Sequence, residues 1–223
     1  MPRPARRTTI APAFDQIILG DLRPADASEL SDGTVIDGLQ FDEITVDEWR
    51  VDARTGLESS LFRGVVADRW EIRGAKVAET IVERGDFTTT SGGRARMRDV
   101  EVRDSRFGAA ELFGSKLNSV RFTRCKLGYV NLRATELTNV AFVDCTIEDL
   151  DLMEAVADRV ALSGSRIGAL HLTGSTLTNV DLRGADLTEI VGLDHLRGAT
   201  ISTDQLMALA PAMATGMGIR VED

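Results

Sequence analysis

The chain has only two cysteines, two histidines, one tyrosine and five prolines in 223 residues, and no proline falls between Pro24 and Pro211. Two cysteines cannot form the framework of a disulfide-stapled domain. Two histidines, His171 and His195, without cysteine or carboxylate partners at ligand spacing, give no metal-binding pattern. No glycine-rich loop follows a strand and opens a helix, so no phosphate cradle is expected. No apolar run approaches the roughly 20 residues of a membrane span. The start, with Arg3, Arg6 and Arg7 among prolines, lacks the apolar stretch of a signal peptide. These absences lead us to expect a cytoplasmic, non-catalytic protein with no cofactor, no metal and no membrane contact.

What the chain does have is a beat of five. From residue 57 to residue 187 an apolar side chain recurs at every fifth position, with Gly92 the single exception. A helix repeats its apolar face about every 3.6 residues and a strand every 2, so a sustained period of five matches neither. Each short segment must turn a corner after one inward residue. Two residues before each centre runs a second column that alternates in size: Val120, Val130, Val140 and Leu150 against Cys125, Thr135, Cys145 and Ala155.

A longer echo counts the faces. Ser105-Arg106-Phe107-Gly108, Cys125-Lys126-Leu127-Gly128 and Ser165-Arg166-Ile167-Gly168 fall at multiples of twenty, as do Lys116-Leu117-Asn118-Ser119-Val120 and Thr176-Leu177-Thr178-Asn179-Val180. Twenty residues per coil at five per face gives four faces. Stacking such coils at the strand spacing of about 4.8 Å builds an all-β solenoid. Cys125 and Cys145 lie one coil apart in one inner column and are expected to be buried thiols.

These residues carry a family resemblance. The chain resembles the pentapeptide repeat proteins, whose unit A(D/N)LXX is seen in Leu182-Arg183-Gly184-Ala185-Asp186-Leu187 and Leu196-Arg197-Gly198-Ala199-Thr200. The resemblance implies a right-handed quadrilateral parallel β-helix; the handedness comes from the family and not from the spacing.

The expected organisation is an extended or flexible arm over residues 1–14, an acidic segment and first coil over 15–52, the repeat helix over 53–192 and a helical cap over 193–223. Upstream of the main run the beat continues one residue out of phase through Ile36, Phe41, Val46 and Val51, so a one-residue insertion is expected at residues 52–56. At residues 88–98, where Gly92 breaks the register, the expectation is either a weak coil or a projecting contact loop with Arg94, Arg96 and Arg98 at its tip. In the cap, Ser202 and Gln205 have the form of a capping box. Leu206, Leu209, Ala210, Met213 and Met217 follow at helical spacing, and Pro211 is expected to kink or split that helix.

Charge gives the functional clue. Residues 15–52 hold eleven acids against Arg23 and Arg50, which accounts for the whole formal charge of −9. A second cluster, Asp144, Glu148, Asp149, Asp151, Glu154 and Asp158, is expected to form an acidic belt around one level of the rod. A chain with a pI of about 4.9 is not expected to bind nucleic acid itself. The stretch from Leu196 to Val221 is similar to the C-terminal cap of the quinolone-resistance pentapeptide repeat proteins of the Qnr and MfpA type. That similarity implies a homodimer through the cap and a DNA-mimicking rod that occupies the DNA site of gyrase or topoisomerase IV. The absence of a mid-rod proline departs from the kinked MfpA pattern. The alternative is a scaffold or interaction module for a partner other than a topoisomerase.

Overall fold

A computed structural model describes residues 8–30, 36–51, 53, 54 and 56–222. The described chain winds into a parallel β-solenoid of about nine coils with an α-helix, Thr203–Gly216, at its C-terminal end. Each complete coil contributes to two stacked sheets. In one coil these are Lys116–Thr123 in the first sheet and Lys126–Asn131 in the second. All pairings are parallel and, through the body of the rod, in a register of twenty: Leu117 lies over Leu137, Phe122 over Phe142 and Leu127 over Ile147.

The fourth face continues the same ladder outside the regular strands. Leu112 N–H donates to Asn131 O at 2.8 Å, Leu132 to Asp151 O at 2.8 Å, Leu152 to His171 O at 2.9 Å and Leu172 to Val191 O at 2.8 Å. These four leucines are all buried and form one vertical column. Burying one such column on each face is what drives the winding, because a five-residue face has too little apolar surface to be stable alone.

Three of the four corners of a coil are turned by a residue of positive φ, two positions past the inward centre. Arg94 (φ 62), Asp99 (φ 53) and Asp104 (φ 50) do this in successive corners of one coil. Left-handed backbone costs an L-residue roughly 1–2 kcal/mol, and the inter-coil hydrogen bonds and the buried centre beside each corner offset it.

Below the main body the register changes. Ile36 lies over Leu57, Phe41 over Phe62 and Trp49 over Trp70, each a step of twenty-one. The inserted residue falls between Arg50 and Leu57, as the phase shift in the sequence requires; residues 52 and 55 lie outside the described chain. Stacked aromatic rings line this end: Trp49 on Trp70 at 4.8 Å, Trp70 on Phe87 at 4.9 Å and Phe87 on Phe107 at 5.0 Å between ring centroids.

Two of the expected alternatives are corrected. Residues 88–98 form no projecting loop: Asp86–Ser91 and Arg96–Arg103 are regular strands. A Cβ on Gly92 would meet Leu112 Cδ2 at 2.5 Å and Ile72 Cγ1 at 3.1 Å, so the coils above and below already occupy the missing side chain's place. The cap helix is not split, and Thr203–Gly216 runs unbroken through Pro211. The helix lies on the surface with no buried residue, so water can reach the Met207 carbonyl that proline leaves without a donor. Residues 8–14 lie extended against the rod, and residues 1–7 are outside the described chain.

The capping box forms as expected: Gln205 N–H donates to Ser202 Oγ at 3.1 Å and Ser202 N–H to Gln205 Oε1 at 2.9 Å. Gln205 Nε2 then donates to the carbonyls of Leu182 (2.7 Å) and Ala185 (2.9 Å), tying the helix to the last coil's open edge. Edge carbonyls left bare would invite pairing with another chain.

Candidate protein-interaction surface

The inward centres leave three outward residues per face, and these decide what a partner would meet. Many outward charges in the middle of the rod are neutralised by a charge one coil away. Arg124 grips Asp104 with two bonds of 2.7 and 2.8 Å, Lys116 meets Glu136 at 2.7 Å, and Arg166 meets Asp186 at 3.2 Å. The winding itself creates these pairs, because residues twenty apart stack one strand spacing apart. Arg124 holds the Asp104 carboxyl below the usual carboxylate range, chiefly through the hydrogen bonds.

The six residues of the expected belt separate into two groups. Asp151 is buried; its Oδ2 accepts from Arg133 Nε at 2.5 Å and its Oδ1 from Met153 N–H at 3.0 Å. It braces a turn and presents no free charge. Asp149 faces His171 Nε2 at 3.3 Å, and Asp158 is paired with Arg159 and accepts from Asn179 Nδ2 at 3.1 Å. Asp144, Glu148 and Glu154 are exposed, spread around one coil, and among the described residues none of them makes an ion pair.

At the N-terminal end, Asp37, Asp42, Glu43, Asp47 and Glu48 are all exposed. Asp42 pairs with Arg63 (3.2 Å), Glu43 with Arg84 (2.6 Å) and Glu48 with Arg50 (2.9 Å), while Asp37 and Asp47 have no basic partner among the described residues. Arg94 sits at a corner with its N–H on Phe113 O at 2.9 Å, and Arg96 lies within a strand. Arg98 bonds Glu79 at 2.9 Å and Asp99 at 2.6 Å, so the three arginines are spread over the wall and do not gather at a tip.

The cap presents apolar surface of its own. Leu206 and Met217 are 46% and 77% exposed, Ala210 is exposed, and Leu209 and Met213 are half-buried. Met207 and Ile219 are exposed as well.

No three His, Cys, Asp or Glu residues among the described residues are placed to hold a metal ion. No helix among them is long and apolar enough to cross a membrane. Cys125 and Cys145 are buried free thiols, and their mutual hydrogen bond together with burial pushes the Cys145 thiol up.

A strap along the rod is the feature that sequence reasoning missed. Residues 8–22 run extended along the outside, from Thr200 on the last coil back towards the first strand at Arg23. Its one readable trace is the spacing of Phe14, Ile17, Leu19 and Leu22, all of which are half-buried.

Residues 115–191 match the family model described as a pentapeptide repeat region. No curated protein sequence matches the chain significantly. Among solved structures, the chain is similar to a trypsin-treated, singly substituted form of QnrB1, described as a plasmid-mediated fluoroquinolone resistance protein. The identity is 16%, with 90% of this chain and 95% of that one covered and a TM-score of 0.41. A second trypsin-treated QnrB1, carrying a different substitution, matches at 14% identity, covering 84% and 91%, with a TM-score of 0.45. Full-length QnrB1 matches at 14% identity, covering 85% and 94%, with a TM-score of 0.36.

Proposed function

We propose that this chain, which carries a pentapeptide repeat region, is a non-catalytic binder of a type II topoisomerase, gyrase or topoisomerase IV, and that it docks as a stand-in for duplex DNA. One observation carries the reading: exposed carboxylates without ion-pair partners among the described residues, Asp144, Glu148 and Glu154, are spread around one level of the rod. A basic groove built for phosphates gains from any rigid polyanion of suitable width, because binding releases the counterions condensed around both surfaces. Carboxylates already held by a neighbouring arginine contribute little to such docking, so the partnerless ones matter most. The exposed apolar cap, with Leu206, Met207 and Met217, would seat a second copy end to end and double the rod's length.

The test is supercoiling by purified gyrase with and without the protein. Dose-dependent inhibition, or relief of quinolone-stabilised cleavage, supports the reading; no effect at a large molar excess in low salt rejects it.

A second reading is favoured by where the charge lies. Residues 15–52 account for the whole formal charge of −9, and Asp37 and Asp47 there have no basic partner among the described residues, so a partner could grip that end alone. In that reading the protein is an interaction module for a basic partner other than a topoisomerase. Asp37→Asn with Asp47→Asn would then abolish binding while the Asp144, Glu148 and Glu154 set stays dispensable.

A further inference from the structure

The N-terminal strap lies in a groove along one corner of the rod, and its seating follows a simple match of lengths. Ile10 N–H donates to Asn179 Oδ1 and Ala13 N–H to Asn139 Oδ1, each at 3.2 Å. Asn139 and Asn179 occupy the same corner two coils apart, a rise of about 9.6 Å at the strand spacing, and three residues of extended chain span about 10 Å. An extended backbone therefore places the Ile10 and Ala13 N–H groups, three residues apart, against acceptors two coils apart. The acceptors are held in place from behind: Arg159 Nε donates to Asn139 Oδ1 at 2.7 Å, and Asn179 Nδ2 donates to Asp158 Oδ1 at 3.1 Å. Further along, the Phe14 ring lies under the Arg121 guanidinium, 4.3 Å from its carbon to the ring centroid.

Two features separate this strap from a built-in part of the fold. No residue of 8–22 is buried, and among the described residues its polar ties to the rod are the two amide bonds and a hydroxyl contact between Thr9 and Thr200. Segments held by so few contacts open far more readily than the core beneath them. Beside Phe14, Gln16 and Ile17 lies an open pocket of about 270 Å³, walled by Asp99, Glu101, Arg103 and Arg121. Charged walls around that space suit a longer polar side chain than Gln16.

We infer that this corner is a docking groove for an extended peptide, that residues 8–17 cover it in the resting protein, and that an incoming segment displaces them. Because Asn139 and Asn179 read backbone N–H groups, the groove tolerates varied sequences. The preferred occupant carries an aromatic residue to lie under Arg121 and, within three residues of it, a long polar side chain for the adjoining cavity. This surface is independent of the topoisomerase reading, since it needs no polyanion and no basic groove.

The test uses the full chain. Ile10→Pro and Ala13→Pro together remove both donor N–H groups and free the strap without altering the coils. A fluorescent peptide of residues 8–18 with Gln16→Arg, which places a longer polar side chain two residues after Phe14, serves as the probe. By anisotropy it should bind the doubly substituted protein at least tenfold more tightly than the unsubstituted one, whose own strap competes at high effective concentration. Adding Asn139→Ala and Asn179→Ala should remove that gain. If the double-proline protein has an unchanged denaturation midpoint and takes up no more peptide than the original, the groove is not an exchangeable site. Hydrogen exchange gives a second readout. Protection of the Ile10 and Ala13 amides in the unsubstituted protein should be at least a hundredfold below that of Leu132, and equal protection would overturn the claim of a releasable cover.

Discussion

Replacing Leu132 by alanine removes one rung of the fourth-face column and gives a sharp test of the stacked core. Leu132 is 1% exposed and lies between Leu112 and Leu152. Three carbon groups leave the interior, at about 0.8 kcal/mol each. The vacated space adds up to about 2 kcal/mol more where neighbours cannot close it, at roughly 24 cal/mol per Å³. Closure is difficult here, because the inter-coil bonds at Leu112, Leu132 and Leu152 fix the backbone on both sides of the gap at 2.8–2.9 Å. The expected loss is therefore about 3–4 kcal/mol. Leu187→Ala provides the internal control. It occupies the same kind of inward position but is only half-buried on the last regular coil, so its expected cost is about 1 kcal/mol. Urea denaturation followed by far-ultraviolet circular dichroism reads both, and hydrogen exchange localises the loss should the rod unfold in segments. If Leu132→Ala costs no more than Leu187→Ala, the column is not a close-packed core.

Further predictions concern the turns, the surface pairs and the thiols. Gly198 has a φ of 93° and a Cβ there would lie 1.9 Å from Leu177 O, so Gly198→Ala should loosen the final coil and cap. Faster proteolysis after residue 196, with the rest of the rod intact, is the expected readout. Asp104 and Asp181 have carboxyls held below their ordinary range by hydrogen bonds from Arg124 and Arg183. Their stabilisation is thus fully present above the ordinary carboxylate pKa and lost as the pH falls through the depressed folded values. The denaturation midpoint should drop below about pH 4, and Arg183→Gln should flatten that drop. Both cysteines should resist a thiol reagent in the native protein and react together on unfolding, in step with the loss of circular dichroism.

The wound fold is legible in the sequence because its determinants repeat. The five-residue beat marks the centres, the echo at twenty sets the register, and the phase slip near residue 52 locates the change from a step of twenty-one to twenty. Features that depend on distant partners are not legible. Gly92 looks like a defect until Ile72 and Leu112, each twenty residues away, are seen to fill its place. Asp151 reads as one more surface acid, yet its contacts with Arg133 and the Met153 N–H draw it inside. The strap's bonds span 126 and 169 residues of sequence, so no local pattern could announce them. The left-handed corners leave a partial trace, since Gly114, Asn139, Asp144 and Gly164 all stand two positions past a centre, where such residues are least strained.

Binding of the purified protein to gyrase should be measured between about 50 and 200 mM salt, for the native chain and for the variant with Asp144→Asn, Glu148→Gln and Glu154→Gln. Affinity should fall steeply with salt in the native chain and with a shallower slope in the variant. Binding that ignores both salt and these three substitutions, or no binding at the lowest salt, would contradict docking as a stand-in for duplex DNA.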